Sequence, residues 1–114
     1  MNDSLKVTGT YNFKHIRDGV VLDEWDVNNL VTSAGKALLA SLAGDASAVP
    51  FTYLALGTSN TAPAIGQTTL VAEITDTGLA RAAATVSRVT TTVTNDTLQL
   101  VYTWTASGTK TVEE

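Results

Sequence analysis

Threonine is concentrated in one short part of this chain, and this constrains the fold more than any other feature. Threonine is β-branched and favours the pleated, half-exposed surface of a strand. Charged residues make up only 16 % of the chain, against about 25 % in an average soluble protein. Together these features predict an extended, weakly charged β surface. The eight threonines that crowd into residues 85–105 are Thr85, Thr90, Thr91, Thr92, Thr94, Thr97, Thr103 and Thr105.

The first 31 residues have the pattern of a β-hairpin. Residues 5–13 alternate loosely between apolar and polar side chains, which predicts a half-buried strand. Asp18-Gly19 follows, and Asp-Gly between two strand-like runs is a strong turn signal because glycine tolerates positive φ. The return strand is predicted over residues 20–31. Its alternation is imperfect, so we expect a bulge or an early strand end near Asn28 and Asn29.

A short helix is predicted over residues 32–43. Thr32 or Ser33 can act as the N-cap, because a hydroxyl oxygen can accept a free N–H of the first turn. Gly44 is expected to close the helix as the C′ residue. The helix is rich in alanine, which predicts close packing against the end or edge of a sheet.

Strands and loops are predicted over residues 51–112. A short strand covers residues 51–56, a long polar loop covers 57–67, and a single helical turn is expected over 69–74. A longer strand follows over 79–94, with a tight turn at Asn95-Asp96. The best-patterned strand has four side chains that alternate with polar ones: Leu98, Leu100, Tyr102 and Trp104. The chain is therefore predicted to be one mainly β domain over residues 1–114, an antiparallel β-sandwich with an N-terminal hairpin and one short helix.

Composition argues against several classes of partner and cofactor. The net charge of −4 and the absence of a basic run argue against nucleic acid as a partner. No apolar stretch is long enough to cross a bilayer, so no membrane partner is expected. The chain has no cysteine, which removes thiolate chemistry and disulfides. Glu24 and Asp26 share one strand face while Asp23 lies on the other, so no metal site is expected. No cofactor is predicted.

One short motif suggests catalysis. Asp76-Thr77-Gly78 has the residues of the aspartic-protease triplet, which makes a hydrolase built on Asp76 a third and least favoured hypothesis. Such a triplet normally follows an apolar strand, whereas Glu73-Ile74-Thr75 precedes it here. A polar turn before a long strand explains these residues equally well. His15 is the single histidine, so acid–base pairs would depend on carboxylates alone. The chain is therefore predicted not to be an enzyme.

Four segments stand out together, in this order: the hairpin turn Arg17-Asp18-Gly19, residues 29–39 (Asn-Leu-Val-Thr-Ser-Ala-Gly-Lys-Ala-Leu-Leu), residues 51–63 from Phe51 to Pro63, and residues 88–100 from Arg88 to Leu100. In these segments the chain resembles a family of small β-rich virion proteins of tailed bacteriophages, described as tail, tail-fibre or head-surface components. The resemblance covers most of the chain, but its motifs are structural and carry no chemistry.

The resemblance implies a virion location, with synthesis in the cytoplasm of a bacterial host. Relatives of this type usually continue past the position of Glu114 with a glycine-containing turn and further strands. Either the sequence is a fragment, or a neighbouring copy or partner completes the sheet. We take the second as the working hypothesis, because unpaired backbone at residues 98–105 would otherwise be exposed.

Two functional hypotheses from different classes remain open. The first is a non-enzymatic virion subunit that forms homo-oligomers and contacts other virion subunits through the strand edge at Leu98, Leu100, Tyr102 and Trp104. The alternative is a receptor-binding module at a fibre tip, with a host-surface glycan as its partner. That module would use exposed aromatic residues and the candidate binding loop Thr58, Ser59, Asn60 and Gln67.

Overall fold

The computed structural model describes residues 4–114 and has a mainly β fold with one short helix. The described residues form two compact units. We call residues 4–44 with 63–68 the hairpin unit, and residues 45–62 with 69–114 the threonine-rich unit. The two units are described in turn.

The predicted hairpin is present in the hairpin unit. Strand β1 (Gly9–Arg17) pairs antiparallel with strand β2 (Val20–Asn29). Asp18 and Gly19 connect them with φ angles of 51° and 77°, the two positive values that a type I′ turn requires. The first strand differs from the prediction, because it begins at Gly9 and continues to Arg17 rather than covering residues 5–13. The Asp-Gly turn sets the tip of the hairpin and thereby the strand lengths.

A single extra residue interrupts the pairing near the hairpin tip. His15 faces Asp23, and the next residue, Ile16, faces Val21, so Leu22 is the bulged residue. A bulge or an early strand end was predicted near Asn28 and Asn29. The strand does end early, at Asn29, but the bulge lies at the other end of the hairpin. A bulge close to a turn increases the local twist of a two-stranded ribbon.

The helix α1 runs over Ser33–Gly44, close to the predicted 32–43. The Thr32 hydroxyl oxygen accepts a hydrogen bond from the Gly35 N–H at 3.2 Å, which identifies Thr32 as the N-cap. The expected C′ role of Gly44 is wrong, because Gly44 is the last helical residue and has no positive φ. The Ser33 N–H donates to the Ile65 carbonyl at 2.8 Å, which ties segment 63–68 to the start of the helix.

The helix does not pack as predicted. None of its residues is buried, and it has no extensive contact with the hairpin strands. Within residues 4–114, no helix has the length and apolar character needed to cross a bilayer.

The threonine-rich unit contains two small antiparallel sheets. Strand β3 (Tyr53–Leu54) pairs with β4 (Ala82–Ala83), and β5 (Thr85–Val89) pairs with β6 (Thr97–Val101). All four strands are shorter than the patterns predicted. In particular, the strand expected over 79–94 ends at Val89, because residues 90–96 form a loop instead.

A third extended arrangement surrounds Gly57. The Thr58 N–H donates to the Ala72 carbonyl at 3.0 Å, and the Ile74 N–H donates to the Leu56 carbonyl at 2.8 Å. On the other side, the Gly57 N–H donates to the Glu114 carbonyl at 2.8 Å. The helical turn predicted over 69–74 is therefore wrong: Glu73 forms an antiparallel bridge with Gly57. The backbone polar groups there are satisfied by strand pairing rather than by a helical turn.

The core lies beside Gly57 and is small. Leu56 and Ile74 are the buried apolar side chains of the described residues. The chain exposes 8783 Å², whereas a compact monomer of this mass exposes roughly 5,900 Å², and two separate globules dividing the mass roughly 7,200 Å².

Candidate functional site: the β5–β6 sheet

One face of the β5–β6 sheet carries an apolar strip of Val86, Leu98 and Leu100 that is partly open to solvent. Val86 faces Leu100 across the two strands, and Arg88 faces Leu98. Side chains two residues apart lie on the same face of a strand, so Leu98 and Leu100 share a face with Val86. Leu98 is 50 % exposed. Arg88 lies on this face too, opposite Leu98. The other face carries the Ser87–Gln99 pair, with Val89 and Val101 towards its two ends.

The outer edge of β6 is open as well. The sheet has two strands, so within the described part of the chain β6 has a partner on one side only. An open edge presents a row of N–H and C=O groups that can pair with another strand. Strand addition from a second chain is a common way to satisfy such groups.

Tyr102 and Trp104 follow β6 rather than extending it. Their rings meet edge to face, with centroids 4.9 Å apart and an interplanar angle of 71°. The Trp104 indole Nε1–H donates to the Ala80 carbonyl at 2.8 Å. The structure therefore keeps Leu98 and Leu100 together on the strand and places the two aromatic residues just beyond its end, fixed to the segment before β4.

The carboxylate of Asp96 organises the loop between β5 and β6. It accepts backbone N–H bonds from Val93 at 2.9 Å, Thr91 at 2.8 Å and Thr92 at 2.9 Å. The Thr97 hydroxyl donates to it at 2.9 Å. These donors, the Val93 N–H first, hold the pKa of Asp96 well below its usual range, because they stabilise the ionised form. Asp96 thus fixes the turn that was predicted at Asn95-Asp96.

We expect this carboxylate to make the stability of the β5–β6 sheet depend on pH. Its pKa is lower in the folded chain than in the unfolded one, so its contribution is fully present above about pH 4. The contribution disappears as the pH falls below 4, through the folded-state pKa. Urea midpoints measured from pH 6 down to pH 2.5 should fall for the wild type. The Asp96→Asn variant should lie lower at pH 6, and its difference from the wild type should narrow between pH 4 and pH 2.5.

Asp23→Asn is the matched control, because it removes a carboxylate that the structure places on an exposed strand rather than under a set of backbone N–H groups. Equal acid sensitivity in Asp96→Asn and Asp23→Asn would contradict a role for the loop carboxylate.

Asp76-Thr77-Gly78 is a type I′ turn rather than a catalytic loop. The Leu79 N–H donates to the Asp76 carbonyl at 3.0 Å, and the two central residues have φ angles of 55° and 74°. Lys110 Nζ lies 3.1 Å from the Asp76 carboxylate, and the Ser107 N–H donates to the Thr77 carbonyl at 2.9 Å. The triplet is thus held by segment 105–110 and gives the hydrolase hypothesis no geometric support.

Thr77 is strained, because positive φ is unfavourable for a β-branched residue. Asparagine is the non-glycine residue best suited to this position of a type I′ turn. We expect Thr77→Asn to raise the free energy of unfolding by about 1 kcal/mol, measured by urea denaturation. Thr109→Asn is the control for the change of side-chain type. A Thr77→Asn variant less stable than the wild type would show that the side-chain contacts of Thr77 outweigh the strain.

The candidate binding loop divides between the two units. Thr58, Ser59 and Asn60 belong to the threonine-rich unit, whereas Gln67 belongs to the hairpin unit. The Ser59 hydroxyl oxygen accepts the Thr61 N–H at 3.1 Å, which makes a local turn. Gln67 Oε1 accepts the Ala64 N–H at 3.4 Å. These side chains each stabilise their own backbone, and the glycan-binding alternative stays a prediction.

Glu24 and Asp26 of β2 lie on one face of the strand, as the alternation of the sequence predicted. The Asn12 side-chain amide donates to Glu24 at 3.1 Å and to Asp26 at 2.9 Å, so both carboxylates lie on one face of the hairpin. Lys14 approaches Glu24 at 4.0 Å. Residues 4–114 contain no group of three or more His, Cys, Asp or Glu side chains that could hold a metal ion.

The sequence prediction missed an aromatic surface on the opposite face of the hairpin. Tyr11 pairs with Val27, and Phe13 pairs with Trp25. The Phe13 and Trp25 rings stack with centroids 5.6 Å apart and planes 18° apart. Tyr11, Trp25 and Val27 are each more than two-fifths exposed. The signal was present, because Tyr11 and Phe13 alternate on β1 and Trp25 and Val27 alternate on β2. Which of them face each other depends on the bulge at Leu22, which the sequence did not predict.

No protein-family model, no curated protein and no solved structure matches this chain. The function proposed below therefore depends on the residues and their geometry, together with the resemblance noted in the sequence.

Proposed function

We propose that this chain is a non-enzymatic structural subunit of a tailed-bacteriophage virion, in the tail, a fibre or the head surface. It assembles by strand pairing with neighbouring copies and contacts other virion subunits. The virion is its working location after synthesis in the bacterial host. The observation that carries the proposal is the open edge of β6 beside an exposed apolar face.

The exposed surface supports assembly as the main activity. The chain exposes 8783 Å², at least roughly 1,600 Å² more than compact globules of its total mass. A standard interface removes about 800 Å² from each partner. The excess is therefore large enough for two such interfaces on each chain.

Strand pairing also accounts for the two-stranded sheets. A two-stranded sheet is at best marginally stable in water, whereas three or more strands with a covered apolar face are stable. A strand from a second copy beside β6 would extend the sheet, and its apolar side chains would cover Leu98 and Leu100. In the assembled state the sheets then form the layers of an antiparallel β-sandwich that the single chain lacks.

Hydrogen exchange along β6 tests the pairing directly. In the separated chain, amides that face β5 are protected and the alternate ones are open to solvent. Strand addition should slow exchange at those alternate amides of residues 97–101 as the concentration rises, measured by NMR or by mass spectrometry of peptides. A chain that stays monodisperse and monomeric in analytical ultracentrifugation would overturn the proposal.

A pair of lysine variants tests the role of the apolar face. Leu98→Lys should raise the midpoint concentration of assembly by at least about tenfold, because it places a second positive charge directly opposite Arg88 within the surface to be buried. Gln99→Lys adds the same charge one residue later on the opposite face and should leave the midpoint within about threefold of the wild type. Sedimentation velocity over a concentration series measures both. Equal effects would indicate a general influence of charge rather than a buried face.

A further inference from the structure

We propose a second self-interface: the aromatic face of the β1–β2 hairpin packs against the same face of a second copy, around a two-fold axis. The aromatic face comprises Tyr11, Phe13, Trp25 and Val27. The inference rests on the proposed function, since it gives the assembling subunit a contact distinct from the β6 edge.

The two faces of the hairpin differ in a way that indicates which one is covered. One face carries the hydrogen-bonded group of Asn12, Glu24 and Asp26, with Lys14 nearby. Burying these charges would cost more than their pairing returns. The aromatic face has no charged side chain at its centre, and Trp25 is 46 % exposed there. Burial of large aromatic side chains dominates the energetics of protein interfaces.

The hairpin unit needs such a contact more than the threonine-rich unit does. Leu56 and Ile74, the buried apolar residues, both belong to the threonine-rich unit. The described part of the hairpin unit buries no side chain. A lone hairpin and a 12-residue helix are each marginal in water. Without cysteines, the unit has no disulfide that could compensate.

A second copy fits the face better than a charged partner would. The central residues are neutral, so two copies meet there without like-charge repulsion despite the net charge of −4. His15 and Asp23 occupy the tip end of the same face. A two-fold axis perpendicular to the strands arranges the ribbons antiparallel, which places the Asp23 carboxylates of the two copies at opposite ends. An isologous contact of this kind is the commonest in homo-oligomers.

The size of the ribbon sets the expected strength. Strands of nine and ten residues span about 30 Å and lie about 5 Å apart, so the face is a narrow strip and the contact is smaller than a standard interface. The dissociation constant is therefore expected to be micromolar or weaker.

Cysteine cross-linking locates the contact without disturbing the aromatic rings. The chain has no cysteine, so each variant contains a single thiol. Val27→Cys places it on the aromatic face and Asn12→Cys on the polar face of the same hairpin. Treatment with a short bis-maleimide at concentrations where the wild type associates should give covalent dimers for Val27→Cys at a yield at least about fivefold above that for Asn12→Cys.

A second variant measures the contribution of the aromatic side chain. Trp25→Ala should raise the dissociation constant of the hairpin contact by at least about tenfold, measured by sedimentation in the Leu98→Lys background, where the β6 contact is weakened. Far-UV circular dichroism checks that the variant retains its strands. Tyr53→Ala, which truncates an exposed aromatic residue of the other unit, is the control and should leave the dissociation constant unchanged.

The outcomes separate this inference from the proposed function. Cross-linking through Val27→Cys and weakening by Trp25→Ala support the hairpin interface. An oligomer that depends on Leu98 but gives no Val27→Cys cross-link overturns the hairpin interface and leaves the proposed function standing. A monomer at every concentration, whether its Val27→Cys thiol is reactive or is covered by its own chain, overturns both.

Discussion

Replacing Ile74 with alanine is expected to lower the free energy of unfolding by about 3 kcal/mol. Ile74 is 3 % exposed and is one of two buried apolar side chains in residues 4–114. Its removal takes away apolar burial and leaves a cavity, and such Ile→Ala changes cost about 2–5 kcal/mol. Because Ile74 also pairs with the backbone of Leu56, the surrounding strands have little freedom to collapse into the space. Urea denaturation followed by circular dichroism measures the change.

Val71→Ala is the matched control for Ile74→Ala. Val71 lies three residues earlier and is 59 % exposed, so its truncation should change the unfolding free energy by less than about 0.5 kcal/mol. A small loss at Ile74, similar to that at Val71, would mean that the core of the threonine-rich unit lies elsewhere.

Gly78→Ala is expected to be the most disruptive exchange of a glycine. The backbone at Gly78 has a φ of 74°, which costs about 1–3 kcal/mol for a residue with a side chain. A Cβ there would also collide with the Thr105 carbonyl oxygen, and a backbone atom has little room to move. We expect a loss of at least about 3 kcal/mol and, with it, separation of segment 105–110 from the turn. The urea midpoint and hydrogen exchange at Ser107 report the two effects.

Gly66→Ala provides the comparison, because nothing lies within 4 Å of a Cβ at that position and its φ is not positive. It should be neutral within about 0.5 kcal/mol. If Gly78→Ala were equally neutral, the close approach of Thr105 to the turn would be wrong.

The predictions from the sequence were most accurate for structural features that depend on residues adjacent along the chain. The Asp18-Gly19 turn is specified by two adjacent residues whose positive φ angles are those of a type I′ hairpin, and Thr32 caps the helix three residues before the N–H that it satisfies. Both predictions are confirmed. The mainly β class with one short helix also follows from such local signals.

Distant contacts account for the main errors. The helical turn predicted over 69–74 is replaced by extended pairing with Gly57, a partner that no local pattern reveals. The strand expected to reach residue 94 ends at Val89 because Asp96 binds three backbone N–H groups of the following loop.

The candidate assembly site was only partly accessible from the sequence. Alternation placed Leu98 and Leu100 on one face, and the strand register agrees. Tyr102 and Trp104 continue the same alternation, yet the Trp104 bond to Ala80 takes them out of the strand. A period of two identifies a face, but the point at which a strand stops depends on contacts made elsewhere.

The contacts of Glu114 have a consequence for protein synthesis. Its carbonyl accepts the Gly57 N–H, and its side chain accepts the N–H groups of Val71 and Ala72. Gly57, Val71 and Ala72 leave the ribosome before Glu114 does. The smallest separation along the chain, between Ala72 and Glu114, is 42 residues. The pairing around Gly57 can therefore be completed only after residue 114 has emerged. Until then the Gly57 edge is unprotected on the nascent chain.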